Sequence, residues 1–273
     1  MNRLIYSLLA GFLLAGAANA ADLDEIKERG TLNVAVASLS PFVIRSETGQ
    51  LTGFEIDSML ALGEHLGVNV QFIERPFCKL VDTVVNGEAD MIASGFSNTP
   101  DRRRILDFSL PYHDTEYFAV VAKSTVRKAK TMRALNSKDV TIGYQEGGVS
   151  GQVAHGDFSG ATLKGFSSFT DIVDALKAGE IDGAVMFSPY QEMVTKLKER
   201  KYVVPHEFAL TRTIESYAVD KGAEDLRDAL NEWVIARDLD GYWDDLEKKW
   251  FNPESAVIST PPPFSCPSQV PVQ

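Results

Sequence analysis

Residues 80–93 read LVDTVVNGEADMIA, and residues 172–185 read IVDALKAGEIDGAV. Four identities link the two stretches at a constant offset of 92 positions: Asp82 with Asp174, Gly87 with Gly179, Glu88 with Glu180 and Asp90 with Asp182. In each stretch a helical run ends at the glycine, which can adopt the positive φ of a helix C-terminus, and an apolar strand follows. The repeat predicts two similar α/β lobes, with coincidence among common α/β connections as the alternative.

Strand-like and helix-like segments alternate around both copies of the repeat. Residues 31–37, TLNVAVA, are β-branched and alternating, which predicts a strand. Residues 140–151 resemble this opening and begin the second unit. Strands that alternate with helices favour mainly parallel sheets covered by helices on both faces. The first long helix, which Gly67 ends, is predicted to bury a face formed by Ile56, Met59, Leu60, Gly63 and Leu66.

The two ends of the chain differ from its body. Residues 1–20, MNRLIYSLLAGFLLAGAANA, combine a basic Arg3, an apolar stretch and small residues up to Ala20, which predicts a cleavable secretory signal. The alternative, a membrane anchor, needs ~20 apolar residues, and the stretch is shorter. Residues 253–273 contain six prolines among 21 residues and are predicted to form a flexible tail without a core. We therefore expect an exported, periplasmic protein.

Composition excludes several classes of protein. The 273 residues include 27 Lys and Arg against 38 Asp and Glu, a net charge of −11, which is unfavourable for binding nucleic acid. Apolar residues make up 44%, enough for a well-filled core. In an oxidising compartment Cys78 and Cys266 can pair, or one can lie in a core and the other in the tail. The sequence leaves both possibilities open.

Motifs for cofactors and common catalytic centres are missing from the sequence. The chain has no GxxxxGK[ST] phosphate loop, no HExxH and no GxSxG. Its four histidines are scattered singly, and no Cys/His spacing is typical of a zinc site. We therefore expect no cofactor, no metal and no catalytic residues.

The segment SGFSNTPDRRR, residues 94–104, is the best candidate for binding. It follows a predicted strand, at the sheet edge where α/β folds hold their ligands. Gly95 permits close backbone approach, Ser97 offers a hydroxyl, and the guanidinium of Arg102 is suited to a small carboxylate. The alternative, a solvated basic turn, is the expected state of Arg103 and Arg104.

Larger blocks of this sequence resemble the family 3 extracellular solute-binding proteins, the receptors of polar amino-acid ABC importers. The pattern GF-x-[IV]-D, together with TP-[DE]-R followed by DFS-x-PY, is specific in combination. The resemblance covers residues 23–251 and rests on GTLNVAVA (30–37), SPFVI (40–44), GQLTGFEIDSMLALGEHLGV (49–68), GEADMIASGFSNTPDRRRILDFSLPYHDT (87–115) and DLDGYWDDLEKKWF (238–251).

The resemblance implies the type II periplasmic binding-protein fold, in which two α/β lobes joined by two crossing strands close on a ligand. Lobe 1 is expected to contain residues 22–120 and 217–252, and lobe 2 residues 121–216. The crossings are expected near residues 118–123 and 215–219. The implied partners are a small carboxylate ligand and a membrane permease, with the protein itself a monomer.

The resemblance also assigns site residues. Arg102 matches the arginine that grips the ligand carboxylate, and Ser97 and the backbone at Gly95 match neighbours that bind the same group. The other residues expected to line the cleft are Phe42, Phe77, Ser150 and Phe187. The offset repeat independently predicts that residues 186–188 face residues 94–96 across the cleft.

Two aspartates in the same motifs, Asp57 and Asp107, are expected to be structural and to bond to local backbone.

The sequence departs from the family pattern in lobe 2. Phe187 stands where amino-acid receptors usually place the acid that holds the α-ammonium, and Gly148 and Val149 replace a threonine pair. A buried ammonium without a counter-charge costs several kcal/mol. Either another acid substitutes, with Glu146 as a candidate, or the ligand has no free α-amine. We favour a carboxylate with an aromatic or apolar part over an ordinary amino acid held differently.

Three functions are compatible with these features. The favoured one is a non-catalytic binding component that closes around a solute and presents it to a permease. The second is an enzyme resembling the cyclohexadienyl dehydratases on the same scaffold, which needs an acid or base in the cleft. The third is an accessory protein of a periplasmic dehydrogenase, which the proline-rich tail permits.

Overall fold

The structure is a computed structural model that describes most of the chain but not several of its segments. The predicted signal peptide lies outside the described residues, as does the predicted tail apart from Ser265 and Cys266. No helix in the described part of the chain is long and apolar enough to cross a membrane. The described residues are 23–128, 131–188, 190–196, 202–205, 208–251 and 265–266.

Helices and strands alternate along most of the described chain. The strands are β1 (Thr31–Val36), β2 (Ile44–Arg45), β3 (Leu51–Thr52), β4 (Asn69–Glu74), β5 (Met91–Ile92), β6 (Leu106–Ala122), β7 (Thr141–Gln145), β8 (Thr162–Phe166), β9 (Gly183–Phe187), β10 (Tyr202–Val203) and β11 (Thr211–Asp220). The helices are α1 (Leu23–Arg29), α2 (Phe54–Leu66), α3 (Leu80–Val85), α4 (Lys123–Lys128), α5 (Met132–Leu135), α6 (Val149–Asp157), α7 (Phe169–Ala178), α8 (Tyr190–Lys196), α9 (Glu224–Leu239) and α10 (Tyr242–Trp250).

The main sheet has a parallel part in each lobe, as the alternating pattern predicts. Its order is β4-β1-β5-β11-β6-β9-β7-β8, with β10 beside the end of β6. In lobe 1, β1 pairs in parallel with β4 and β5, and in lobe 2, β7 pairs in parallel with β8 and β9. Between these groups β6 and β11 run antiparallel to each other. The fold is therefore the two-lobe α/β architecture that the resemblance implies.

The two crossing strands are longer than predicted. Strand β6 pairs with β11 between Leu106 and Tyr117, and from Tyr117 onward it pairs with β9 of lobe 2. Strand β11 reaches β5 of lobe 1 at Ala218 and Val219. Pairing therefore changes from one lobe to the other near Tyr117 on β6 and between residues 211 and 218 on β11. The residue limits of the two lobes stay a prediction.

The second aspartate of each repeat copy makes the same hydrogen bonds in its own lobe. Asp90 accepts a bond from the backbone N–H of Asn33 at 2.7 Å, and its own N–H donates to the Asn33 carbonyl at 2.9 Å. Asp182 makes both bonds to Thr141, each at 2.9 Å. Asn33 lies on β1 and Thr141 on β7, the first strand along the chain in each parallel part of the sheet. This equivalence, between residues far apart in the chain, argues against coincidence.

Helix boundaries follow the glycines, but one buried face differs from its prediction. Gly67, Gly87 and Gly179 have positive φ of 72°, 72° and 73°. On α2, Leu60 is 48% exposed, whereas Leu62, which is absent from the predicted face, is fully buried. The predicted face is confirmed at Ile56, Met59 and Gly63 and was wrong at Leu60.

The aspartates of the GFEID and LDFS motifs have a structural role, because they bind side chains from distant parts of the sequence. Asp57 accepts from Nζ of Lys249 at 2.6 Å and from Nε1 of Trp250 at 2.8 Å, which ties α2 to α10. Asp107 forms an ion pair with Lys221 at 2.5 Å. The expected bonds to local backbone were wrong, because the partners come from segments that only the fold brings near.

Candidate functional site

A small cavity lies between the two lobes. Its volume is about 10 Å³, close to that of a single water site. A solute of amino-acid size therefore requires the lobes to move apart by a hinge motion. Five of the seven predicted site residues line this cavity, namely Phe42, Phe77, Gly95, Ser150 and Phe187.

Aromatic rings form much of the cavity wall. The ring of Phe187, at the end of β9, lies 6.1 Å from that of Phe42 in lobe 1 and 5.0 Å from that of Phe169. Phe187 and Gly95 line the same cavity from opposite lobes, which agrees with the facing predicted from the repeat. This wall suits an apolar or aromatic part of a solute.

Gly95 is required by its surroundings. Its φ is 54°, and a Cβ at this position would lie 2.6 Å from Cδ2 of Phe42. Its backbone N–H donates to Oε1 of Glu55 at 2.7 Å. The N–H is therefore directed to Glu55, and Gly95 contributes only its remaining surface to the cavity.

Glu55 is a buried acid that sequence reasoning did not identify as part of the site. Oε1 of Glu55 accepts from the N–H of Gly95 and from the hydroxyl of Tyr112. Burial raises the pKa of Glu55 to about 7, against the lowering effect of these two hydrogen bonds. The sequence did contain a signal of its burial. Glu55 stands between the apolar residues Phe54 and Ile56 at the start of a helix with a buried face. Glu55 positions the loop at Gly95 rather than touching the cavity itself.

The raised pKa of Glu55 predicts a pH-dependent stability. Between pH 4.5 and 7 the folded protein keeps a proton on Glu55 that the unfolded chain releases, so the free energy of unfolding falls as pH rises. Glu55→Gln, which is neutral at every pH, is expected to lack this fall, on the order of 3 kcal/mol. Urea unfolding between pH 4.5 and 8 measures the difference, with Glu64→Gln, on the exposed side of α2, as the control. Parallel pH profiles for wild type and Glu55→Gln would contradict the prediction.

Arg102 is buried beside the cavity but is not among the residues that line it. Nη1 of Arg102 donates to the carbonyl of Ser97 at 2.7 Å, and Nη2 donates to the carbonyl of Gly147 in lobe 2 at 2.9 Å. Its Cζ lies 3.7 Å from the centre of the Phe96 ring, a favourable cation–π contact. Burial lowers the pKa of Arg102 to about 10, so the guanidinium remains charged at neutral pH. Arg102 therefore places a buried positive charge at the junction of the lobes.

The neighbours of Arg102 differ as predicted, since Arg103 and Arg104 are both exposed. Ser97 is not among the residues that line the cavity, and its hydroxyl donates to Oε1 of Glu215 at 3.0 Å. The hydroxyl of Ser150 lines the cavity but accepts a bond from the backbone N–H of Gln145 at 2.9 Å. Both hydroxyls are therefore already held by protein groups.

Glu215, on crossing strand β11, is an acid that sequence reasoning missed. Its side chain lines the cavity and is only 1% exposed. Oε1 accepts from Ser97 and from the hydroxyl of Thr213, and burial raises the pKa of Glu215. The signal in the sequence was an acid inside the run IESYAV, whose apolar neighbours predict burial. The other candidate acid, Glu146, is not among the residues that line the cavity.

The two cysteines form a disulfide beside the site. Cys78 and Cys266 are bonded, with 6.1 Å between their Cα atoms. The backbone N–H of Cys266 also donates to Oγ of Ser167 in lobe 2, at 2.9 Å. The structure thus selects pairing from the alternatives that the sequence left open. Cys78 directly follows Phe77, so the link is attached at the edge of the cavity.

Metal ligands do not gather anywhere in the described part of the chain. No group of three or more His, Cys, Asp and Glu side chains there is arranged to hold an ion. Of the four histidines, His206 lies outside the described residues, and Nδ1 of His113 lies 2.8 Å from Oε1 of Glu247.

Comparison with known proteins places this chain in one family. The model of the bacterial extracellular solute-binding proteins, family 3, matches residues 32–253. The L-cystine-binding protein TcyJ of Escherichia coli (strain K12) is 26% identical over 257 residues, which cover 92% of this chain and 94% of that protein. The cyclohexadienyl dehydratase of Pseudomonas aeruginosa is 24% identical over 254 residues, with 86% and 95% covered.

A solved structure shows the same architecture. The crystal structure of the ancestral amino acid-binding protein AncCDT-1, a precursor of cyclohexadienyl dehydratase, matches with a TM-score of 0.77 and 33% identity. The match covers 84% of this chain and 99% of the ancestral protein.

Proposed function

Because the chain belongs to family 3 of the bacterial extracellular solute-binding proteins, we propose that it is the substrate-binding component of an ABC importer. It binds a small carboxylate-bearing solute between its two lobes and delivers it to a membrane permease. It acts in the periplasm as a monomer, without a catalytic step.

The observation that carries this proposal is the buried guanidinium of Arg102. Its side chain is 8% exposed, and no carboxylate of the described residues lies within 4.0 Å of it. The charge of Glu215 favours the charged form of Arg102 from beyond ion-pair distance, and a carboxylate that accepts two parallel N–H bonds is the best direct partner of a buried guanidinium. The carbonyl of Gly147, which accepts from Nη2, belongs to the opposite lobe. A ligand carboxylate at this position would therefore contact both lobes at once.

The crossing strands support binding by closure. Strands β6 and β11 are the paired elements that run from one lobe into the other, and the cavity lies beside them. A hinge at their midpoint opens the cavity without breaking the core of either lobe. Closure buries the ligand and changes the shape of the protein, and a permease can recognise that change.

A thermal-shift screen tests the proposed function. The panel contains the common L-amino acids, L-cystine, opines, organic acids and aromatic acids. A ligand at 100 times its Kd adds about 2.7 kcal/mol of stability, which is expected to raise Tm by about 5–10 °C. A panel in which no compound raises Tm would contradict the proposal.

One observation favours a second function, a dehydratase. Glu215 is an acid in the cleft with a raised pKa, and a dehydratase is among the relatives. We place this function second because the ancestral amino acid-binding protein is 33% identical and the dehydratase 24%. Incubation with prephenate or arogenate separates the two, since consumption of either compound would replace the binding function with the enzymatic one.

A further inference from the structure

The backbones of the two lobes approach each other closely at Cys78. A Cβ atom placed on Gly147, in the turn before α6, would lie only 2.7 Å from Cα of Cys78. No side chain therefore fits between the two backbones at this point. Because Cys78 directly follows Phe77 of the cavity wall, the disulfide begins where lobe 1 meets lobe 2.

Cys266 contacts both lobes through different atoms. Its Sγ is bonded to Cys78 of lobe 1, and its backbone N–H donates to Oγ of Ser167 in lobe 2 at 2.9 Å. Ser167 lies between β8 and α7, close in sequence to Phe169 of the cavity wall. Cys266 is buried, so water competes little for this hydrogen bond. We call these two contacts, the S–S bond and the hydrogen bond, the Cys266 bridge.

The Cys266 bridge can be complete only while the lobes are close together. A solute of amino-acid size enters the cavity only after the lobes move apart. In that motion Cys78 moves with lobe 1 and Ser167 with lobe 2, whereas the covalent bond keeps Cys266 at Cys78. The hydrogen bond to Ser167 is then lost, and it forms again on closure. A contact that only one of two conformations makes shifts the equilibrium towards that conformation.

The disulfide makes this hydrogen bond favourable. Residues 252–264 separate Ser265 and Cys266 from Phe251, the preceding described residue. A hydrogen bond from a chain segment that is free to move must first offset the entropy lost on ordering that segment. The covalent link to Cys78 orders Cys266 before the lobes close, so the bond to Ser167 contributes fully to closure.

We infer that Cys266 is a positioning residue for solute binding, which holds the lobes closed through its bond to Ser167 when it is joined to Cys78. This inference rests on the proposed function and adds redox control to it. A dithiol reductant gives two electrons and two protons to the two sulfurs, which leaves two thiols on the protein and a disulfide in the reductant. Cys78 is partly exposed, so such a reagent reaches the bond. Reduction is then expected to weaken solute binding.

Solute binding by oxidised and reduced wild type tests this inference directly. The probe is the compound that gives the largest thermal shift, excluding L-cystine, because dithiothreitol would reduce L-cystine itself. Dithiothreitol, at a dose that frees both thiols to alkylation, is expected to raise Kd about three- to tenfold, the value of one hydrogen bond, mainly through faster dissociation. The double variant Cys78→Ser/Cys266→Ser should show the higher Kd at once and not respond to the reductant. An unchanged Kd of wild type on reduction would overturn the inference and leave the proposed function intact.

A variant that keeps the disulfide separates the Cys266 bridge from general stability. Ser167→Ala removes the acceptor in lobe 2 and is expected to raise Kd by the same factor, with no further rise on reduction. Ser167→Thr keeps a hydroxyl and should bind within about twofold of wild type. Ser159→Ala, at an exposed serine of lobe 2, is the matched control and should retain both the affinity and the response to the reductant. If Ser167→Ala binds as tightly as wild type, the inference fails and the disulfide has only a structural role.

Small-angle X-ray scattering of the solute-free protein distinguishes failure of the inference from failure of the proposed function. Oxidised wild type is expected to have a smaller radius of gyration than the reduced protein or Ser167→Ala, because the Cys266 bridge favours closed lobes. If no compound of the screen binds, the proposed function fails, and the scattering comparison alone decides the inference. Equal radii in that case would overturn it. Ser167→Ala decides the matter if the double cysteine variant does not fold.

Discussion

Replacing Arg102 with alanine is expected to weaken solute binding by about 2–5 kcal/mol. The guanidinium is buried between the rings of Phe96 and Phe77 and reaches the carbonyl of Gly147 in the other lobe. Truncation removes the buried cation beside the cavity and leaves the solute carboxylate desolvated without a partner. The loss should appear as faster dissociation rather than slower association, because the charge acts after closure.

Calorimetry with the best ligand from the thermal-shift screen measures this loss. Arg103→Ala is the matched control, since Arg103 is adjacent and exposed and its side chain donates hydrogen bonds to Asn98. The control is expected to bind within about twofold of wild type. Arg102→Lys separates charge from shape, and it should recover only part of the affinity because an ammonium cannot donate in parallel pairs.

Two results would remove Arg102 from the site. One is equal affinity of wild type and Arg102→Ala for the same ligand. The other is a loss shared with Arg103→Ala, which would indicate a general electrostatic effect of the basic turn.

Loss of the disulfide is expected to lower the free energy of unfolding by about 2–5 kcal/mol. Cys78 and Cys266 are 188 residues apart, so the bond closes a loop that contains most of the fold. A loop of this length removes much conformational entropy from the unfolded chain, and the effect increases slowly with loop length. In the folded state Cys266 is buried, and its backbone N–H donates a hydrogen bond to Oγ of Ser167.

Urea unfolding of the double variant Cys78→Ser/Cys266→Ser measures this effect. The chain has only these two cysteines, so the variant contains no thiol and cannot form other pairs. A reducing agent is expected to destabilise wild type to a similar extent. It should leave the double variant unchanged, so the variant controls for effects of the reducing agent other than disulfide reduction. Unchanged stability on both routes would show that the link does not constrain the fold.

Most of the local structure was predictable because its signals lie within a few residues of one another. The turns at Gly67, Gly87 and Gly179 and the strand at residues 31–36 follow from backbone freedom and alternation. The face of α9, with Leu226, Leu230, Trp233 and Val234, follows from helical spacing. At Leu60 on α2, which is 48% exposed, the prediction was wrong, because helical spacing alone does not decide which residues at the edge of an apolar face are covered.

The location of the candidate site was predicted from the sequence, but only some of its charged residues were. Five residues that the resemblance assigns line one cavity, and Arg102 is buried beside it. The two acids that matter there, Glu55 and Glu215, were missed. Each lies in an apolar run, where composition indicates burial but not the partner that makes burial tolerable.

The sequence by itself determined the two α/β lobes, the family and the cation at position 102, since these depend on short motifs and on an internal repeat. Only the tertiary structure decided that Cys78 bonds to Cys266 and that Glu215 shares Ser97 with Arg102, across separations of 188 and 118 residues. The physical reason is that a charge or a thiol acquires its chemistry from neighbours within a few ångströms. Chain folding, rather than local pattern, selects those neighbours.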